Sequence, residues 1–193
     1  MRRYNRLFAV LVVLMSCLII SVTAMASDKN LLLNPSVEKA KPTSAFEPSD
    51  WRTWKSVGDQ YTVDFEWSDK VARSGKCSLK IGAVSEGGKA TWQSTSVDVA
   101  LGMTYRASVY VKVQGAKVGE VITLTINWRD SNSTRLGTIS ETFIITKSDI
   151  DWTLVTVEGV APKDCTQAGI QVGRIENNQG SVWFDDFELV LVK

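Results

Sequence analysis

The chain has 193 residues, with 22 basic and 21 acidic side chains, a formal charge of +1, 7 Trp, 3 Cys and no His. A charge this close to zero supplies no basic face for a nucleic-acid partner. The absence of His excludes a Ser-His-Asp triad, a Cys-His dyad and any His-ligated zinc or haem, and leaves carboxylate, Lys or Tyr catalysis open.

Residues 1–26 have the three zones of a secretory signal peptide. Arg2, Arg3 and Arg6 form a basic start, an apolar run extends from Leu7 to Val22, and Ala24-Met25-Ala26 supplies small residues for cleavage before Ser27. The run is shorter than the ~20 apolar residues of a comfortable membrane span, which argues against a retained anchor. Cleavage at Cys17, as in a lipoprotein, would leave Leu18-Ile19-Ile20 beside the lipid and ranks below cleavage after Ala26. Removal takes three arginines and no acid, so 19 basic residues face 21 acidic ones and the net charge becomes −2. The expected location is secreted or at the cell surface, with no membrane attachment after cleavage. Cys77 and Cys165 remain, and an oxidising compartment permits one disulfide between them without requiring it.

The remainder, 27–193, reads as one all-β domain. Residues 38–50, with Pro42 and Pro48, look like a long early loop. Strict alternation marks three strands: Tyr61, Val63, Phe65 and Trp67; then Tyr105, Ala107, Val109, Val111 and Val113; then Ile122, Leu124, Ile126 and Trp128. Further strands are expected at 30–33, 51–57, 77–84, 90–99, 141–146, 152–160, 168–175 and 181–192, separated by Gly-, Asn- and Pro-containing turns. Many short strands at this spacing predict an antiparallel sandwich or barrel, in a domain long enough for a two-sheet jelly roll with a full core.

Four segments in order resemble the CenC-type carbohydrate-binding modules of the family 4, 9 and 22 group. They are Asn30-Leu-Leu-Leu-Asn34-Pro35-Ser36-Val37-Glu38 with the Trp51 to Trp54 stretch, Ala72-Arg73-Ser74-Gly75-Lys76-Cys77-Ser78-Leu79-Lys80-Ile81, Gly102-Met-Thr104-Tyr105-Arg-Ala-Ser108-Val-Tyr110-Val-Lys112, and Ser181-Val-Trp183-Phe184-Asp185-Asp186-Phe187-Glu188-Leu189. The resemblance spans 30–193. It implies a jelly roll with a structural calcium ion and binding of polysaccharide or oligosaccharide chains. Carried over residue by residue, it puts side-chain oxygens of Glu38 and Asp185 on the ion, with carbonyls from Ser36 and from the Ser74–Cys77 turn. Calcium wants six to eight oxygens, so carboxylates beside turn carbonyls are suitable donors. Some relatives carry an acid where Ser74 stands, which leaves this site one charge short.

A sugar has flat C–H faces and a rim of hydroxyls, so its cleft needs aromatic platforms beside amide and charged hydrogen-bonders. Alternation turns Tyr110, Asn127, Arg129 and Gln171 outward. By the same alternation Trp92 faces away from Val97 and Val99, unless a bulge intervenes. Trp92 and Tyr110 are the candidate platforms; Asn127, Arg129 and Gln171 are the candidate hydrogen-bonders. Trp51, Trp54, Trp128, Trp152 and Trp183 fall in or beside core patterns and read as packing residues, as does Trp67.

The expected function is non-catalytic glycan binding, with a separate exported glycoside hydrolase or a surface complex as a further partner. The alternatives are a small glycan-cleaving enzyme and a structural or adhesive module that has lost its sugar site. Hydrolysis would need two carboxylates at a fixed separation, and Asp64, Glu66, Asp69 and Glu86 show no such pairing in the sequence.

Overall fold

The computed structural model describes residues 29–58, 60–175 and 179–192. The proposed signal peptide lies outside them. The strands are β1 (Ala40–Lys41), β2 (Ser44–Pro48), β3 (Trp51–Lys55), β4 (Val63–Ser68), β5 (Ser78–Val84), β6 (Lys89–Ser94), β7 (Val97–Asp98), β8 (Thr104–Gln114), β9 (Val121–Arg129), β10 (Arg135–Ile144), β11 (Ile150–Val160), β12 (Gln167–Ile175) and β13 (Ser181–Leu191). No helix occurs among the described residues.

Two antiparallel sheets form a β-sandwich jelly roll. The first has the order β10-β9-β12-β6-β3, with β7 also paired to β12; the second has the order β11-β8-β13-β5-β4. Strands with one apolar face per sheet must bury those faces against each other. Ile122, Leu124, Ile126, Ile170 and Val172 from the first sheet and Leu79, Ile81, Val109, Val111 and Phe184 from the second are all buried in one core.

β13 contains a register shift between Asp185 and Glu188. The apolar residues require it. Val182 and Phe184 are two apart, Phe187 and Leu189 are two apart, but Phe184 and Phe187 are three apart, so an extra residue must be absorbed to keep all four inside. Asp186, with φ of 49°, absorbs the turn.

Four expectations need correction. Residues 30–33 do not form a strand, although Leu31 N–H donates to the Leu189 carbonyl at 2.9 Å. The 38–50 loop contains the β1–β2 hairpin. The 90–99 strand breaks into β6 and β7 around Thr95 and Ser96. β10 begins at Arg135 rather than 141; as an edge strand exposed along most of its length it carries little apolar alternation to mark its start.

Arg174 on β12 is 1% exposed and ties the two sheets together. Its Nη1 donates to the carbonyls of Ile81 (3.3 Å) and Gly82 (2.6 Å) on the opposite sheet and to Gly180 (2.9 Å). Its Nη2 lies 3.4 Å from Glu120 Oε2. The disulfide is absent. Cys77 and Cys165 are both free thiols, Cys77 in the turn entering β5 and Cys165 buried before β12, where its thiol donates to the Gln167 carbonyl at 3.3 Å.

Candidate functional site

The cross-strand pairing sets the outer face of the first sheet in rows. One row runs Arg52, Gln93, Gln171, Thr125 and Ser140 across β3, β6, β12, β9 and β10. The next runs Trp54, Thr91, Gly173, Thr123 and Thr142. On the other side lie Gly169, Asn127 and Thr138, then Gln167 with Arg129. The central row holds two hydrogen-bonded segments: Arg52 Nε donates to Gln93 Oε1 and Gln93 Nε2 donates to Gln171 Oε1, each at 3.2 Å, and beyond them the Thr125 and Ser140 hydroxyls meet at 2.8 Å. These amides and hydroxyls are held in place before any ligand arrives, which limits the ordering cost of binding.

Two glycines lower the floor on either side of Gln171. At Gly173 a Cβ would come within 3.0 Å of both Thr123 Oγ1 and Thr91 Cγ2, so the neighbouring threonines close over a spot that only glycine leaves open. Trp54, 46% exposed, stands at the β3 edge of this face. Toward the other end a groove of about 540 Å³ is lined by Arg52, Thr95, Ser96, Arg129, Ser133 and Gln167, among others. Arg129 is braced there by its hydrogen bond to the Ser133 carbonyl at 2.7 Å.

The five candidate sugar contacts therefore separate. Asn127, Arg129 and Gln171 share the outer face of the first sheet. Tyr110 lies on the outer face of the second sheet, and the Arg73 guanidinium covers its ring at 3.4 Å from the centroid. Trp92 is 5% exposed; its indole N–H donates to the Lys80 carbonyl at 3.0 Å and its ring meets Phe65 edge-on at 5.6 Å. The break between β6 and β7 resets the alternation, so Trp92 faces the same interior as Val97 and Val99. Trp54, expected to pack, is the exposed indole. The sequence carried the signal: Trp51 and Trp54 are three apart on one strand, and odd spacing puts them on opposite faces. Trp51 is the buried member, 2% exposed.

The second sheet carries a depression of about 840 Å³, lined by Arg73, Arg106, Tyr110, Glu158, Asp186 and Glu188 among others. Four of its charges are paired, Arg73 with Asp186 at 2.6 Å and Arg106 with Glu158 at 3.7 Å, and Glu188 accepts the Ser108 hydroxyl at 3.2 Å. With the Tyr110 ring covered by Arg73 and Phe187 buried, this depression suits a sugar less well than the amide and hydroxyl rows beside the exposed Trp54.

The carboxylates implied in calcium binding converge on one turn. Glu38 Oε1 accepts the N–H groups of Lys76 (2.9 Å) and Cys77 (2.8 Å). Gly75, at φ of 60°, passes so close that a Cβ would sit 2.5 Å from the Glu38 carboxylate. Asp185, fully enclosed, accepts Arg73 N–H (2.7 Å) and Ser74 N–H (3.2 Å) at Oδ2 and Asp186 N–H (2.7 Å) at Oδ1. Burial pushes the Asp185 carboxyl up to about 6. Ser74 gives its hydroxyl to Asp186 Oδ1 at 2.6 Å. Amide hydrogens thus occupy positions where a cation would need free oxygens, and among the described residues no group of three His, Cys, Asp or Glu is placed to hold a metal. Calcium takes six to eight oxygens, backbone carbonyls among them, so an ion here would require Glu38, Asp185 and the turn carbonyls to turn from these amides toward it. Ser36 lines the same depression as Ser74, and Cys77 closes the turn.

The family described as carbohydrate binding domain, covering families 4 and 9, matches residues 29–172. The chain belongs to that family. Solved structures share its fold. TmCBM61 in complex with β-1,4-galactotriose superposes with a TM-score of 0.55 at 18% identity, covering 85% of this module and 99% of that chain. A family 4 carbohydrate-binding module gives 0.56 at 17% identity, covering 83% of this chain and 99% of the other. The enzymatically active domain of tailspike protein 4 from bacteriophage CBA120 gives 0.61 at 13% identity, covering 84% of this module; the module spans only 21% of that chain. At these identities the likeness is one of fold. No curated protein matches the module in sequence.

Proposed function

We propose that the protein is an exported, non-catalytic carbohydrate-binding module that lays a glycan chain across the outer face of the β10-β9-β12-β6-β3 sheet. The observation that carries this reading is the prearranged Arg52–Gln93–Gln171 row beside an exposed indole and two floor glycines. Trp54 would stack on a sugar face, and Gln93, Gln171, Asn127 and Arg129 would hydrogen-bond the rim hydroxyls. Among the residues lining the adjoining groove, Asp50 is the single carboxylate. Glycoside hydrolysis needs two carboxylates across the scissile bond, so this face favours binding without cleavage. Export rests on the 1–26 segment.

The test is retention on a panel of insoluble polysaccharides, beginning with β-1,4-galactan, xylan and cellulose. The purified chain should be retained by at least one. Trp54→Ala and Gln171→Ala should each weaken retention about tenfold or more, with an unchanged melting temperature because neither side chain is core. Full retention by both variants would remove the site from this face.

A further inference from the structure

The groove does not stop at the edge of the sheet. Lys41, Trp51 and Arg52 line it and also line a second pocket of about 290 Å³, which lies between edge strands β3 and β4 under the β1–β2 hairpin. Phe65 and Trp67 from β4 and Trp92 from β6 wall this pocket, and Phe46 of the hairpin forms its lip. Phe46 is 89% exposed. The three indole N–H groups are already committed, Trp51 to Asn34 O (3.0 Å), Trp67 to Val37 O (2.7 Å) and Trp92 to Lys80 O (3.0 Å). What the pocket offers inward is therefore aromatic carbon. What it offers at the rim is polar: the Lys41–Glu47 ion pair, Arg52 and Thr53. An apolar wall with a polar rim matches a pyranose ring, which has C–H faces and peripheral hydroxyls.

We propose that this pocket is a terminal subsite, taking the end ring of the glycan chain that lies on the sheet, with Phe46 as its stacking residue. The inference rests on the binding reading above and adds to it a preference for longer chains. Continuity supplies the occupant: a chain on the Arg52 row reaches the pocket mouth without leaving protein. The back wall makes the subsite terminal, because Phe65 and Trp92 meet edge-on at 5.6 Å as part of the interior and leave no through-passage. The open face from β3 to β9 crosses three strand gaps, about 14 Å, roughly the reach of a trisaccharide. A longer chain is needed to engage both sites.

The experiment uses tri- and hexasaccharides of whichever polysaccharide retains the full chain, titrated calorimetrically. Phe46→Ala should weaken hexasaccharide binding about tenfold while trisaccharide binding changes less than about twofold. Phe46→Trp should restore it, and neither variant should alter the melting temperature, since the ring is exposed. Trp54→Ala should weaken both ligands. Unchanged hexasaccharide affinity in Phe46→Ala overturns the subsite while leaving the sheet-face reading intact if Trp54→Ala still loses both. Equal loss of both ligands in Phe46→Ala also overturns it, because Phe46 would then belong to the main groove. A wild-type chain that binds no saccharide overturns the binding reading and this inference together.

Discussion

Asp185 is enclosed by protein, and three backbone N–H groups point at its two oxygens. Desolvation still dominates and lifts its carboxyl from 3.8 to about 6. The consequence for stability has a definite sign. Between those values the unfolded chain has released this proton and the folded chain has not, so raising the pH through the window favours unfolding. The contribution is full below the unfolded value and lost above the folded one. Glu120, raised by burial against the pull of Arg174, acts in the same direction. The melting temperature should therefore rise as the pH falls from about 7.5 to about 5. A bound calcium ion would do the opposite, holding the carboxylate ionised and making acidification destabilising. Thermal scans across that window, repeated with chelator and with added calcium, separate the two. A melting temperature that falls on acidification and climbs with calcium would show that the turn opens to hold the ion. At this scale the sequence was readable in part. The family resemblance placed Glu38 and Asp185 with the Ser74–Cys77 turn, and both carboxylates do accept N–H groups from it. That amides fill the space between them was not readable, because backbone hydrogen-bond directions leave no mark on residue identity. For Trp54 the odd spacing from Trp51 was present, and core-like surroundings obscured it.

Among the elements, long strands with one buried face were legible, and those lacking it were not. β8, β9 and β12 match the alternation within one or two residues. The short hairpin under Phe46 has almost no buried face, and β10 is an exposed edge, so neither carries the pattern that identifies a strand. The phase reset between β6 and β7 decided the fate of Trp92, and a two-residue bend is invisible to a period-two count. Arg174 is the clearest case of tertiary context overriding local pattern: on β12 it takes an inward position that apolar residues hold elsewhere, and its guanidinium joins the sheets. Arg174→Met should destabilise the fold by about 3 kcal/mol, because it leaves the Ile81, Gly82 and Gly180 carbonyls and the Glu120 carboxylate without their partner. Urea unfolding measures this. A loss under about 1 kcal/mol would mean that water or repacking replaces the bonds.

For the whole molecule, the two outer faces of the sandwich differ in kind. The second sheet is laced with ion pairs, Lys80 with Asp64 and Glu66, Lys112 with Asp151, Arg106 with Glu158 and Arg73 with Asp186. The first presents amides, hydroxyls, glycines, one exposed indole and the Arg52 and Arg129 guanidiniums. Strand count and turn spacing pointed to an antiparallel sandwich or barrel, and the family resemblance selected the two-sheet jelly roll. Which face carries the amide row depended on strand order, which sets β3 beside β6 and β12 from distant parts of the chain. A glycan bound through stacking and neutral hydrogen bonds should be indifferent to salt. Raising ionic strength from about 50 mM to about 500 mM should leave affinity within about twofold, whereas binding in the charged depression around Arg106 and Glu188 should weaken. The most direct measurement is amide chemical-shift mapping of the full chain titrated with a hexasaccharide of the retained polysaccharide. The account predicts shifts at Arg52, Trp54, Gln93, Asn127, Gln171 and Gly173, with the amides around Arg106, Tyr110 and Glu188 unmoved. Shifts confined to that second group would contradict it.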